Sequence, residues 1–366
     1  QKLLDRFIFV CFCEDKGLLE DRIFRYIIEH TTPGFTKWDA VKGLFRAINS
    51  GDSTNNINKF NGGLFQEDEI IDKQIKLDDE IFSEMARITD WDFDSDLNVN
   101  ILGHIFEKSI SDIEELKGEI AGEKVEKKKG KRKKEGIYYT PDYITKYIVE
   151  NAVGGWLEDR KKELGFEGLP ELTEKDFESI DITKDRFNKN IKQHLEFWEG
   201  YRERLMNIKV LDPACGSGAF LNQAFDYLYK EGQNVNEEIA RLKGGQMTIF
   251  DLGKHILTNN LFGVDLNNES VEITKLSLWL KTANKGKELT FLDNNIKCGN
   301  SLIDDEKVAG DKAFKWEEEF KEIMDSGGFN VVIGNPPYVL ISPDLLSEYK
   351  LTKGNNNTYI AFIERA

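Results

Sequence analysis

The sequence has few cysteines and histidines, and none of its apolar runs approaches the length of a membrane span. Its four cysteines and four histidines form no Cys-x-x-Cys pair and no cluster with metal-ligand spacing, so no metal site is predicted. The first residues lack the basic start and the cleavage site of a signal peptide. These absences argue against a disulfide-rich secreted domain and a membrane protein, and they predict a cytoplasmic protein with reduced thiols.

Positive charge is also in deficit, because 50 Lys and Arg residues face 66 Asp and Glu residues, for a net charge of −16. An evenly spread negative charge would repel nucleic acid, so contact with DNA would need a local positive patch or a separate module. The strongest basic run lies within residues 123–135. We interpret it as a solvated linker, a reading that is also compatible with phosphate contact.

The glycine patterns of dinucleotide sites and phosphate loops are missing, but a different glycine turn is present. The apolar run from Ile208 to Leu211 ends in Asp212, and Gly216 and Gly218 precede a helical pattern that begins near Phe220. This order predicts a parallel strand, a tight turn and a helix, in which the glycines let a ligand approach the backbone. The turn by itself indicates only a nucleotide-like ligand.

A second polar turn follows the buried-strand pattern of residues 331–333 and consists of Asn335, Pro336, Pro337 and Tyr338. The prolines fix the backbone, the asparagine oxygen and a neighbouring carbonyl can accept two hydrogen bonds from an amino group, and the tyrosine can stack on a ring. The pattern therefore predicts a planar substrate that bears an NH2 group. A third strand, residues 261–264, ends at Asp265, where a carboxylate can grip a ribose diol.

Together, these segments resemble the S-adenosylmethionine-dependent N6-adenine DNA methyltransferases. The run Asp212-Pro213-Ala214-Cys215-Gly216-Ser217-Gly218 is similar to motif I, Asn335-Pro336-Pro337-Tyr338 to motif IV, and Tyr139-Thr140-Pro141 to motif X, in the gamma motif order. The resemblance implies an α/β fold with a class I, Rossmann-like methyltransferase sheet. It also implies S-adenosylmethionine as cofactor and double-stranded DNA with a flipped adenine as partner.

The resemblance assigns roles to single residues. Asn335 and the Pro336 carbonyl would hold the adenine amino group and aim its nitrogen at the methyl carbon, while Tyr338 stacks on the base. Asp212 and the turn from Gly216 to Gly218 would hold the methionine part of the cofactor, Asp265 the ribose, and Asn300 with Phe362 the adenine ring. The residues so implied for the cofactor are Tyr139, Thr140, Pro141, Asp212, Pro213, Ala214, Cys215, Gly216, Gly218, Phe220, Asp265, Leu266, Asn300, Ser301, Leu302 and Phe362. Thr140 is also predicted to cap the helix that begins after Pro141.

Three segments are predicted along the chain: a helical domain at 1–122, the basic linker at 123–135 and the methyltransferase domain at 136–366. Residues 6–19, with the Asn-Gly-Gly-Leu-Phe loop at 61–65, resemble the helical spacer of type IIG restriction-modification enzymes. That resemblance implies a nuclease before Gln1, and further strands and a recognition domain after Ala366. The triplet Glu14-Asp15-Lys16 superficially resembles a nuclease site, but its helical surroundings favour a structural role.

Two alternatives stay open. Release-factor glutamine N5-methyltransferases share the Asn-Pro-Pro-Tyr turn, because a glutamine side chain presents a planar amide nitrogen. Against them stand the Asp-Pro-Ala-Cys-Gly turn, the upstream Tyr-Thr-Pro segment and the helical domain. The second alternative is a non-catalytic assembly subunit of a defence complex, against which the intact motifs argue.

Overall fold

The computed structural model describes residues 2–55, 57, 59–60, 64–93, 140–178, 187–245, 250–284, 289–340, 342, 349–353 and 356–366. The chain forms two compact units. The first comprises residues 1–139, 216–218 and 267–298, and the second comprises residues 140–215, 219–266 and 299–366. The predicted domain boundaries and the basic linker at 123–135 lie outside the described residues, and they stay predictions.

The described part of the first unit is mainly helical, as the periodicity of its sequence predicts. Its helices are α1 (Lys2–Asp15), α2 (Ile23–Glu29), α3 (Lys37–Ser50), α4 (Asp79–Ile88) and α10 (Asn268–Thr282), with a π-helical turn at Glu69–Gln74 and strand β3 at Ile296–Cys298. Helix α3 begins at a capping box, in which Thr36 and Asp39 satisfy each other's backbone amides. Side chains recurring at three and four residues along α1 to α3 form an apolar core, among them Phe7, Phe9, Phe24 and Phe45.

Arg6 is a buried cation within this core, with 0% of its surface exposed. Its Nε donates to the Leu64 carbonyl at 2.9 Å and its Nη2 donates to the Gln66 carbonyl at 2.6 Å. Asp72 lies 3.5 Å from Nη1 and supplies the opposite charge. Because burial of an unpaired guanidinium would be costly, these contacts tie α1 to the segment that follows the predicted Asn-Gly-Gly-Leu-Phe loop.

The second unit has an α/β architecture. Its helices are α5 (Asp142–Glu163), α6 (Glu174–Glu178), α7 (Lys189–Asn207), α8 (Ala219–Leu242), α9 (Leu252–His255), α11 (Glu306–Ala309), α12 (Trp316–Glu319), α13 (Lys321–Asp325) and α14 (Thr358–Arg365), and its strands are β1 (Val210–Asp212), β2 (Leu261–Asp265) and β4 (Val331–Val332). Short 3-10 turns lie at Phe166–Gly168 and Gly310–Lys312, and a π-helical turn lies at Ile256–Asn260. None of the helices in the described part of the chain is long and apolar enough to cross a membrane.

Strand β1 lies between β2 and β4 and pairs with both in parallel. Val210 is opposite Leu261 on one side and Val331 on the other. The three residues of β1 are buried, as expected for a central strand covered on both faces. The carboxyl ends of the three strands, where ligands bind in open parallel sheets, carry Asp212, Asp265 and the turn after residue 333.

The buried side-chain amide of Asn260 links the segments that lead into β1 and β2. The Nδ2 group of Asn260, at the end of the turn before β2, donates to the carbonyls of Leu205, Met206 and Ile208 at 2.8–3.2 Å. These carbonyls lie at the end of α7 and just before β1, where the helix provides no further backbone N–H donors. Asn260 therefore fixes the start of β1 against the start of β2, a role that its sequence surroundings do not reveal.

Candidate active site

The Asn-Pro-Pro-Tyr turn continues directly from β4. The Ile333 amide donates to the Leu211 carbonyl at 2.9 Å, so the strand pairing with β1 extends to the residue before Gly334. The turn is thus anchored to the central strand of the sheet, at its carboxyl end. This is the position that the sequence predicts for the catalytic residues.

The Asn335 side chain has one defined partner. Its Nδ2 group donates to the Thr140 hydroxyl at 3.2 Å, across 195 positions of sequence. Thr140 is buried and does not cap α5: Pro141 precedes the first helical residue, and no side chain caps this helix. The prediction that Thr140 is a helix cap is therefore wrong, because its hydroxyl bonds Asn335 of the Asn-Pro-Pro-Tyr turn instead.

Thr358, the first residue of α14, holds the other side of the turn. Its hydroxyl donates a short hydrogen bond to the Pro337 carbonyl and accepts one from the Val339 amide at 3.2 Å. Its backbone amide donates to the Val339 carbonyl at 2.9 Å. The turn is therefore bonded to a helix that follows it by about twenty residues, through contacts that the sequence analysis did not anticipate.

The turn presents acceptors that the described part of the chain leaves without a donor, among them the Asn335 side-chain oxygen and the Pro336 carbonyl. The Tyr338 ring beside them is 56% exposed. Its centroid lies 5.4 Å from that of Tyr359 at an interplanar angle of 40°, so a second aromatic ring, which the sequence analysis did not assign to the site, accompanies the first.

Asp212 is buried at the end of β1, with 1% of its surface exposed. Its Oδ1 accepts a hydrogen bond from the Ala214 amide at 3.1 Å. Burial raises the pKa of this carboxyl to about 8; the Ala214 bond opposes the shift, and the Asp265 carboxylate adds to it. The carboxyl therefore carries a proton at neutral pH and would ionise next to a cation.

The motif I acid, Asp212, also lies next to Gly334, the residue before the Asn-Pro-Pro-Tyr turn. A Cβ atom placed on Gly334 would lie 2.6 Å from the Asp212 Oδ1 atom, closer than such atoms approach. Only glycine leaves room for the carboxyl here. The residue before Asn335 and the acid at the end of β1 are therefore packed against each other.

The loop after β3 reaches the other two strand ends. The Gly299 amide donates to the Asp265 carbonyl at 2.9 Å, and the Ser301 hydroxyl donates to the Pro213 carbonyl at 2.6 Å. The Asn300 side-chain oxygen accepts from the Leu302 amide at 3.1 Å, which leaves it one further lone pair for a ligand. Asp265, Pro213 and the loop with Asn300 and Ser301, all predicted cofactor residues, are thus linked by hydrogen bonds within the second unit.

The remaining predicted residues of the second unit are less directly connected to this edge. Phe362 is partly buried and packs on the cluster of Leu302, Tyr349 and Ala361, which brings two of the predicted cofactor residues, Leu302 and Phe362, together. Phe220 and Cys215 are buried, and the Leu266 side chain is half exposed. Tyr139 lies outside the described residues.

The glycines of the turn belong to the first unit. Gly216 and Gly218 have φ angles of 53° and 84°, the left-handed region that glycine adopts without strain. The Thr274 hydroxyl of α10 donates to the Gly216 carbonyl at 2.8 Å, and a Cβ on Gly218 would come within 3.0 Å of the Thr274 side chain. The positive φ angle disfavours larger residues at both positions, and the close approach of Thr274 adds to this at Gly218.

The nuclease-like triplet has structural partners. The Glu14 carboxylate accepts from the Phe24 amide at 2.8 Å, and the Asp15 carboxylate accepts from the Phe93 amide at 2.6 Å. Burial raises the pKa of Glu14 to about 7. Both side chains accept hydrogen bonds from backbone amides of the helical unit, which supports a structural role for Glu14 and Asp15.

A parallel sheet with a buried acid at the end of β1 and an Asn-Pro-Pro-Tyr turn at the end of β4 defines a Rossmann-like methyltransferase. Residues 259–366 match the family described as Eco57I restriction-modification methylase. Residues 1–65 match the family described as the MmeI helicase spacer domain. The resemblance seen in the sequence to restriction-modification methyltransferases is confirmed.

Curated relatives are similar over most of this chain. The putative type II restriction enzyme and methyltransferase RM.MjaORFECS2P of Methanocaldococcus jannaschii is 30% identical over 339 residues, which cover 82% of this chain and 27% of that protein. The type II restriction enzyme and methyltransferase RM.Eco57I of Escherichia coli is 25% identical over 405 residues, covering 100% of this chain and 34% of that protein. The chain therefore spans about a third or less of these two relatives.

A solved structure shows the same fold. It is that of the type IIL restriction-modification enzyme MmeI in complex with DNA, with a TM-score of 0.65 and 19% sequence identity. The likeness covers 100% of this chain and 44% of that chain. The predicted Rossmann-like methyltransferase fold is thereby confirmed.

Proposed function

We propose that this chain carries the catalytic part of a DNA methyltransferase that transfers a methyl group from S-adenosylmethionine to N6 of a flipped adenine, as part of a restriction-modification system. The observation that carries the proposal is the pair of open acceptors at the Asn335 side-chain oxygen and the Pro336 carbonyl, next to the exposed Tyr338 ring. An exocyclic amino group has two hydrogens that it can donate to these acceptors, and the flat face of a purine can stack on the Tyr338 ring.

In this proposal the turn aligns the substrate nitrogen. Hydrogen bonds from the amino group to the Asn335 oxygen and the Pro336 carbonyl would draw the nitrogen lone pair out of conjugation with the ring. Tyr338, with Tyr359 beside it, would stack on a base that has left the duplex. Catalysis would then rest on positioning and electrostatics, because the cofactor supplies a methyl group on a sulfonium that is already a good leaving group.

The residues at the strand ends fit the cofactor. The buried Asp212 carboxyl accepts one backbone hydrogen bond and has further acceptor capacity for the ammonium group of a methionine moiety. Asp265 at the end of β2 would hold the ribose. Asn300 and Phe362 would contact the adenine ring, with Ser301 fixing the loop between them through its bond to Pro213.

The test is a methylation assay with the intact protein, unmethylated double-stranded DNA of mixed sequence and S-adenosylmethionine carrying a deuterated methyl group. Mass spectrometry of the digested DNA should detect labelled N6-methyladenine, and the Asn335→Ala variant should yield none while still binding the cofactor. Label on glutamine of an added release factor, with none in DNA, would replace this proposal by the glutamine methyltransferase alternative. Absence of label from both substrates would favour the non-catalytic subunit.

The setting of the enzyme is also part of the proposal. The spacer match at residues 1–65 and the relatives named type II restriction enzyme and methyltransferase support a type IIG enzyme, in which nuclease and target recognition domains accompany the methylase. We place such an enzyme in the cytoplasm, where its DNA substrate and reduced thiols are found. Limited digestion of mixed-sequence DNA by the intact protein would test the nuclease.

A further inference from the structure

The catalytic turn is held by two buried threonine side chains that lie outside its own strand. Thr140 accepts a hydrogen bond from the Asn335 Nδ2 group at 3.2 Å. Thr358 donates to the Pro337 carbonyl and accepts from the Val339 amide. We infer that this threonine pair, Thr140 and Thr358, positions the turn for methyl transfer: Thr140 sets the orientation of the Asn335 amide, and Thr358 sets the backbone on either side of Tyr338. The inference rests on the proposed function.

The first step of the argument concerns the amide of Asn335. A carboxamide has an oxygen that accepts and a nitrogen that donates, and a half-turn of its terminal torsion exchanges the two. Only the orientation with the oxygen toward the substrate can accept a hydrogen from an adenine amino group. In the structure the Asn335 Nδ2 group donates to the Thr140 hydroxyl, which leaves the side-chain oxygen available to the substrate, so this contact holds the amide in the productive orientation before substrate binds.

The second step concerns the Pro337 carbonyl. The turn offers the carbonyls of Pro336 and Pro337 as acceptors in sequence, and the substrate needs one of them. The Thr358 hydroxyl bonds the Pro337 carbonyl, whereas no residue that the structure describes donates to the Pro336 carbonyl, so Pro336 offers the acceptor with both lone pairs available. The same hydroxyl accepts from the Val339 amide, and the Thr358 amide donates to the Val339 carbonyl. These two bonds fix the backbone next to the Tyr338 ring.

These contacts differ from a cofactor role, which the sequence resemblance implies for Thr140. A cofactor-binding threonine should alter the dissociation constant for the cofactor when its hydroxyl is removed. A positioning threonine should instead lower kcat. Valine is the matched replacement, because it keeps the branched shape and loses only the hydroxyl, whereas serine keeps the hydroxyl.

Kinetics of the intact protein on DNA provide the first measurement. Thr140→Val loses one neutral hydrogen bond and should lower kcat about ten-fold, whereas Thr358→Val loses two and should lower kcat by about ten- to 100-fold. Both variants should leave the cofactor dissociation constant within about two-fold. The Thr140→Ser and Thr358→Ser variants should recover most of the rate. The control is Thr145→Val, a buried threonine one turn further along α5 whose hydroxyl donates to the Asp142 carbonyl of the same helix at 3.0 Å.

The side-chain amide of Asn335 provides a measurement that does not need activity. In protein labelled with 15N-asparagine, its two proton signals are identified by their loss in Asn335→Asp. We expect slow hydrogen exchange for this amide in the wild-type protein, in Thr140→Ser and in Thr145→Val, and fast exchange in Thr140→Val.

The outcomes separate the two proposals. Identical exchange and chemical shifts of the Asn335 amide in wild-type protein and Thr140→Val would overturn the inference, whatever the activity. So would valine variants that weaken cofactor binding and leave kcat unchanged. A wild-type protein that methylates no adenine would instead refute the proposed function, while the amide measurement would still decide whether Thr140 orients Asn335.

Discussion

Replacing Gly334 by alanine tests how tightly the catalytic turn and the motif I acid are packed. The added methyl carbon would lie 2.6 Å from the Asp212 Oδ1 atom. The Asp212 carboxyl is held in place, because Asp212 ends a strand paired on both sides and its Oδ1 is bonded to the Ala214 amide. The new contact must therefore displace the carboxyl, the turn or both.

The structure sets the size of the effect. Overpacking a close-packed site by one methyl group costs about 1–3 kcal/mol in free energy of unfolding. A displacement of Asn335 by about 1 Å lowers the rate about 100-fold, because alignment of the reacting atoms is lost. The Gly155→Ala variant is the control: this position in α5 has no atom within 4 Å of the added Cβ, and alanine should gain up to about 1 kcal/mol there.

The assay is a double-mutant cycle measured by denaturant unfolding. In an Asp212→Ala background the carboxyl is gone, so Gly334→Ala should lose the part of its penalty that comes from this contact, a coupling free energy of about 1–3 kcal/mol, while the backbone strain of alanine at a φ of 157° remains in both backgrounds. Methyl transfer is measured in parallel on the single variants. Equal penalties for Gly334→Ala in both backgrounds would refute the packing argument, as would a Gly334→Ala protein with wild-type stability and turnover.

Three other expectations follow from single contacts. Asp265→Ala should weaken the binding of S-adenosylmethionine by at least ten-fold in calorimetric titration, and an unaltered dissociation constant would remove Asp265 from the cofactor site. Burial raises the pKa of Glu14 to about 7, so its contribution to stability is complete at pH 4 and is lost as the pH rises through 7. Between pH 5 and pH 8 the wild-type protein should therefore lose about 3 kcal/mol that Glu14→Gln retains, and parallel unfolding curves for the two proteins would contradict the assignment. Asn260→Ala removes the side-chain donor of the Leu205 and Ile208 carbonyls, while the Met206 carbonyl keeps the His255 ring as a partner, and it should cost about 1–3 kcal/mol in denaturant unfolding, whereas a cost near zero would show that water replaces the amide.

The parts of this protein that its sequence predicts are local. The strand, turn and helix around Asp212 were predictable because an apolar run, two glycines and a helical period follow one another within a short stretch. The catalytic turn could be recognised because two prolines between an amide and an aromatic ring allow few backbone conformations.

The contacts that make these segments into a site depend on tertiary structure. Thr140 was expected to cap its own helix, and it bonds Asn335 instead. The close approach of Gly334 to Asp212, and of Tyr359 to Tyr338, joins residues whose spacing in the sequence carries no periodic signal.

The sequence by itself determined the identities of the chemical groups and the strand ends on which they lie, since both follow from short-range patterns. The orientation of the Asn335 amide and the choice between two proline carbonyls were decided only by the fold. The physical reason is that a hydrogen bond requires its donor and acceptor to lie within about 3 Å of each other and in line. Thr140 and Asn335 are 195 positions apart in the sequence, and only strand pairing and helix packing bring them that close.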